Sequence, residues 1–192
     1  MKTGLRSLPR YYQSINFLKG NLGKEVVKSL LERSGYTACS YGYEVAWLDA
    51  MSKRTPEKST STTGLRLRKS PDLLVYDDKT IMLVEVKTRG KTLSVQEGLV
   101  WIGSHELEPL KNLWSDSILA IVLPEGIYAQ RISELEIQQD GHQRLSDFKK
   151  FQDIFTRVSS EDISYYEDIA LQILRIFMSE REKKALENTP KT

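Results

Sequence analysis

SPDLLVYDDKTIMLVEVKTRG, residues 70–90, holds two short apolar runs on either side of a tight polar turn. Leu73 to Tyr76 and Ile81 to Val86 are rich in β-branched, aromatic and leucine residues, so the stretch reads as a β-hairpin turning through Asp77-Asp78-Lys79-Thr80. A turn centred between Asp78 and Lys79 sets Asp72 opposite Glu85. Strand side chains alternate, so Asp72, Leu74 and Tyr76 share a face with Ile81, Leu83, Glu85 and Lys87, while Leu73, Val75, Met82, Val84 and Val86 take the other. Opposed residues have Cβ atoms about 5 Å apart, and like charges at that distance destabilise a sheet. Something must offset the repulsion.

A divalent cation would do so, because Mg²⁺ takes oxygen ligands and is commonly held by one or two carboxylates with water and phosphate. Lys87 lies on the same face about 6 to 7 Å further on, which places an ammonium beside that ion, suited to holding water or countering charge on phosphorus. The competing reading is a solvent-facing hairpin with scattered charges. The apolar residues around the three groups suit a buried sheet better.

Pro71-Asp72, followed after an interval by Glu85-Val86-Lys87, resembles the signature of the PD-(D/E)XK nuclease superfamily, the restriction-endonuclease-like fold. The resemblance implies metal-dependent hydrolysis of phosphodiester bonds in DNA. Asp72 and Glu85 would bind Mg²⁺ or Mn²⁺, the Val86 carbonyl would be a further ligand, and Lys87 would orient or activate water.

Upstream, NLGKEVVKSLLERS, residues 21–34, places Leu22, Val26, Val27, Leu30 and Leu31 at helical spacing, with Gly35 in the stop position. Glu25 lies at the edge of that apolar face. In archaeal Holliday-junction resolvases, which the layout of residues 20 to 125 resembles, a glutamate on the first helix approaches the metal, and Glu25 is similar to it. Pairing with neighbouring lysines along the helix is the other reading of Glu25.

Length and composition set the frame. With 192 residues and 40% apolar content the chain suits one ordinary core. There is no run of 18 apolar residues and no basic-then-apolar leader, so no membrane partner and an intracellular location are expected. The single Cys39, with only His105 and His142 beside it, builds neither an internal disulfide nor a zinc cluster. No glycine-rich phosphate loop is present, so no small-molecule organic cofactor is expected.

Net charge is only +2, but it is unevenly spread. Lys53, Arg54, Lys58, Arg66, Arg68 and Lys69 face a single acid, Glu57, between Ser52 and Lys69. That segment is rich in Ser and Thr and leads directly into Asp72. With Arg89 and Lys91 beyond the hairpin, Lys53, Arg54, Arg66, Arg68 and Lys69 form the expected contact with DNA phosphates; a solvated loop is the plainer alternative.

Residues 37–50 read as a first strand. Residues 101–114 read as a short strand, a Ser104 cap and a helix that tolerates Pro109 only in its first turn. SILAIVLP, residues 117–124, reads as a buried strand completing a βαβ unit. Further on, Leu145, Phe148, Phe151, Ile154 and Phe155 suggest one helix, and a second begins near Ser160, with Ile163, Tyr166, Ala170, Ile173 and Phe177 at heptad spacing.

The expected fold is therefore α/β: a mixed central β-sheet flanked by helices, a restriction-endonuclease-like core over residues 1–135, and a helical C-terminal extension over 136–192. That extension would pack on the core or form a homodimer interface. The heptad seam and the helix carrying Leu107, Leu110 and Trp114 are the candidate dimer surfaces. The rival functions are a non-catalytic nucleic-acid-binding module on the same fold and an RNA-cleaving member of it.

Overall fold

In the computed structural model, β2 (Leu73–Tyr76) pairs antiparallel with β3 (Ile81–Thr88), Leu73 opposite Val84 and Tyr76 opposite Ile81, as the turn requires. The structure describes residues 10–41, 66, 69–90, 98–138 and 140–178, with side chains of the first helix from residue 15 onward. Asp77 closes the turn. Its Oδ1 accepts the N–H groups of Lys79 and Thr80, each at 2.8 Å, and these backbone donors hold its carboxyl below the usual range. Leu73, Val75, Val84 and Val86 share one buried core as alternation requires, while on the other face Tyr76 and Ile81 are exposed and Glu85 is buried.

The helix ahead of the hairpin is longer than its apolar spacing implies. α1 (Arg10–Arg33) starts well before Asn21 and ends where Gly35 adopts φ +83°, a left-handed conformation that glycine reaches without steric cost. β1 (Thr37–Ser40) follows and pairs antiparallel with β2. The rest of the segment expected to continue this strand, residues 42–50, lies outside the described residues.

After β3 come β4 (Leu99–Trp101), α2 (Ser104–Leu113), β5 (Ile118–Leu123) and β6 (Gly126–Arg131). β5 runs parallel to β3 and not to β4, the short strand expected to begin the βαβ unit, which lies outside this sheet; all six β5 residues are buried. Two details of α2 differ from expectation. Gly103, not Ser104, is the N-cap, and it makes no side-chain capping bond; Pro109 lies past the first turn, inside the helix.

β7 (His142–Arg144), β8 (Lys149–Lys150), α3 (Phe151–Ile154) and α4 (Ser160–Ile176) complete the described chain. The single helix expected over residues 145–155 is instead a 3₁₀ turn, a short strand and one helical turn. Phe148 packs in one core while Phe151 and Phe155 pack in the other, on the opposite sheet face. Their helix-like spacing records a chain rounding the edge of the sheet, where β8 pairs with β6. Ser159 caps α4 by accepting the Asp162 N–H at 3.0 Å.

The main sheet has strand order β1-β2-β3-β5-β6-β8, antiparallel except for β3 and β5, and β4 and β7 form a separate pair. On one face, Val26, Val27, Leu30 and Leu31 of α1 join Val84, Val86, Ala120 and Val122 of the sheet and Ile163 and Ala170 of α4. On the other, Leu119, Ile121 and Leu123 meet Leu107 and Leu110 of α2 with Val100, Ile102 and Phe148. This is the expected mixed sheet flanked by helices. The region beyond residue 136, expected to be a helical extension, also supplies two strands and shares both cores.

Both surfaces offered by the sequence for a homodimer are used within the chain. Ile163 and Ala170 are buried, with Tyr166 and Ile173 packed against the same core, while Leu107 and Leu110 are buried under α2 beside Trp114. Among the described residues, no helix is long and apolar enough to cross a membrane.

Candidate active site

β3 runs four residues past the point where β2 begins, and this overhang builds the site. The hairpin register continues to place Asp72 opposite Glu85. Asp72 Oδ2 accepts the Val86 N–H at 2.9 Å, so a carboxylate takes over from the strand partner that has run out. Glu85 is buried, and Lys87 Nζ lies 2.9 Å from its Oε1. Asp72, Glu85, Val86 and Lys87, the residues that carry the D…ExK pattern, line one pocket of about 480 Å³ at the carboxyl end of β3.

Glu25 is not part of it. That side chain is exposed, and the residue of α1 that reaches Asp72 is Lys24, Nζ to Oδ1 at 2.8 Å. Adjacent helical residues differ by about 100° in direction, which separates the two. The phase of α1 is set by a contact that apolar spacing does not reveal. A Cβ on Gly23 would lie 1.9 Å from Thr88 Oγ1, so the helix lies hard against the end of β3 and turns Asn16, Gly20 and Lys24 toward the pocket. Gly23→Ala should therefore lower stability by about 1–3 kcal/mol despite the better helix former, and Thr88→Ala in the same chain should recover most of it. Urea denaturation of the single and double variants measures this.

Glu106, in the first turn of α2, is the other contributor that the sequence did not single out. Its Oε2 is 2.9 Å from Lys87 Nζ and its Oε1 is 3.2 Å from Arg89 NH2. Arg89, expected at the nucleic acid, lines the pocket while its Nε donates to the Trp101 carbonyl at 2.9 Å and its guanidinium lies 5.8 Å from the Trp101 ring centroid. Of the other basic residues expected at DNA, Arg66 is exposed and Lys69 half-buried. Lys53, Arg54, Arg68 and Lys91 lie outside the described residues.

The electrostatics follow from this crowding. Burial, then the neighbouring charge of Asp72, pushes the Glu85 carboxyl up to about 7 against the pull of Lys87. Burial disfavours the Lys87 ammonium, but Glu85 and Glu106 outweigh it and hold that group above its ordinary range. Burial likewise opposes the Glu106 carboxylate, yet Lys87 and Arg89 keep it below the usual carboxylate value. Glu85 and Glu106 thus favour the charged form of Lys87, which donates to both carboxylates.

Among the described residues no three His, Cys, Asp or Glu side chains gather into a metal-holding group. The donor set on offer is smaller: the carboxylates of Asp72 and Glu85, in a pocket that Val86 also lines. Mg²⁺ suits such a set, because it retains water and takes further oxygens from a phosphate.

No family model matches the chain. No curated protein matches it in sequence. Among solved structures it is similar to Archaeoglobus fulgidus Hjc, a Holliday junction resolvase from an archaeal hyperthermophile, at 14% identity and a TM-score of 0.44, over 71% of this chain and 94% of that one.

Proposed function

We propose that the chain is a metal-dependent nuclease of the PD-(D/E)XK type that hydrolyses phosphodiester bonds in DNA. The observation that carries this reading is the convergence of Asp72, Glu85 and Lys87 at the end of β3, where burial, and then the charge of Asp72, raises the Glu85 pKa to about 7. Lys24 and Lys87 pair with these two carboxylates, and hard oxygen donors of this kind suit a divalent ion that takes further oxygens from water and phosphate.

Asp72 and Glu85 would hold Mg²⁺ or Mn²⁺, with the Val86 carbonyl as a further ligand. Such an ion polarises the phosphoryl oxygen and lowers the pKa of bound water. The chain's own residues supply the rest. The Val86 N–H fixes the Asp72 carboxylate in place. The Lys87 ammonium, anchored between Glu85 and Glu106, would present positive charge to the phosphate oxygens on which negative charge builds up and would help orient the attacking water. Arg89, steadied by Glu106 and the Trp101 carbonyl, faces the same pocket as a phosphate contact.

A cleavage panel tests the reading: duplex, single-stranded, flapped and four-way-junction DNA, with RNA alongside, each in Mg²⁺, Mn²⁺ or EDTA. Cleavage of DNA with either metal and none in EDTA is expected. Binding without cleavage in any metal would make the chain a binding module, and cleavage confined to RNA would change the substrate. The four-way junction is one arm of the panel and not its premise, since Ile163, Ala170, Leu107 and Leu110 of the two proposed dimer surfaces are buried within the chain.

A further inference from the structure

Within the pocket, three carboxylates already meet three cations. Lys24 pairs with Asp72, Lys87 with Glu85 and Glu106, and Arg89 with Glu106, in contacts of 2.8 to 3.2 Å. Lys19 adds a further positive charge to the lining. A divalent ion entering this site alone would add two positive charges to a set whose carboxylates are already paired. A phosphodiester entering alone would meet the carboxylates. Together the two offset each other, and the group best placed to mediate the exchange is Lys24. It comes from a different element than the carboxylates, its side chain is one-quarter exposed, and it contacts the oxygen of Asp72 not taken by the Val86 N–H.

We propose that Lys24 is a tethered cation that holds part of the metal's place at Asp72, and that its transfer to a substrate phosphate makes divalent-metal and nucleic-acid binding depend on each other. The inference rests on the nuclease reading above and adds a coupling between its two ligands. Without nucleic acid, Lys24 competes with metal for Asp72; with nucleic acid, a phosphate oxygen offers the ammonium an alternative to Asp72 in the same pocket. Linkage makes the effect reciprocal: nucleic acid tightens metal binding by the factor by which metal tightens nucleic acid.

Calorimetric titration of Mn²⁺, with and without a short phosphorothioate-substituted DNA duplex, tests this in the full chain. The wild type should bind Mn²⁺ about 10- to 100-fold tighter with the duplex present. Lys24→Met should bind Mn²⁺ more tightly than wild type without duplex and lose most of the coupling. Lys24→Gln provides the same readout should the Met variant fold poorly, and Lys24→Arg, which keeps the charge, should keep the coupling. Unchanged or weaker Mn²⁺ affinity in the neutral variants, or coupling equal to wild type, overturns the proposal while leaving the nuclease reading intact. Absence of Mn²⁺ binding to the wild type under both conditions overturns both.

Discussion

Glu85→Gln should reduce cleavage to the level seen in EDTA and, in the same buffer, abolish a pH dependence of stability that the wild type shows. The folded Glu85 carboxyl titrates at about 7, raised first by burial and then by Asp72, whereas an unfolded glutamate titrates near its ordinary value of 4.5. Between those values the folded chain holds the proton more readily than the unfolded one. Stability is therefore greatest below pH about 4.5 as far as this group is concerned, and is lost as pH rises through about 7, by an amount on the order of 3 kcal/mol. A glutamine has no proton to lose, so the variant should lack the decline and overtake wild type near pH 8. Mn²⁺ should restore the wild type there by binding the ionised pair, without doing so for the variant. Urea denaturation in EDTA at pH 5 and pH 8 reads the difference. Parallel profiles for the two proteins would show that Glu85 ionises as an ordinary exposed carboxylate, and the like-charge site would then have no support.

That prediction uses a pairing readable in the sequence, because the hairpin carries its own instructions. Asp77 forms the turn with groups two and three residues away, and each opposed pair up to Asp72 and Glu85 follows from counting. β5 was equally legible, since a strand buried on both faces must be apolar throughout. What escaped depends on contacts between distant elements. Lys24 and Glu25 are adjacent, and the choice between them turns on how closely α1 approaches Thr88, a matter of a missing side chain at Gly23. Glu106 lies beyond the connection from β3 to α2, so no local spacing ties it to Lys87. Phe148, Phe151 and Phe155 misled in the other direction: residues that pass from one face of a sheet to the other can mimic the period of a helix.

Lys87→Met should be the most destabilising change in the site, and its cost should grow with pH. The ammonium lies 2.9 Å from both Glu85 and Glu106, with only 21% of its side chain exposed. Removing it strands two carboxylates. Arg89 still faces Glu106, but Glu85 keeps only the like charge of Asp72 and the more distant Lys24. Breaking a buried pair from one side costs about 3–5 kcal/mol, because the remaining charge is left unsolvated and unmatched. Glu85 can escape much of that cost by taking up a proton, which it does more readily once Lys87 no longer pulls its pKa down. At pH 5 the variant should therefore be only mildly destabilised, and at pH 8 close to the full penalty should appear. The double variant Glu85→Gln with Lys87→Met should regain most of the loss at pH 8, a coupling that a double-mutant cycle isolates. Charges scattered on a solvent-facing hairpin would behave otherwise: each substitution would stay within about 0.5 kcal/mol, independent of pH and additive. A small, additive effect of Lys87→Met at pH 8 would thus return the hairpin to that reading, whereas a large, pH-dependent and coupled one marks Lys87 as the counter-charge on which the carboxylates of the site depend.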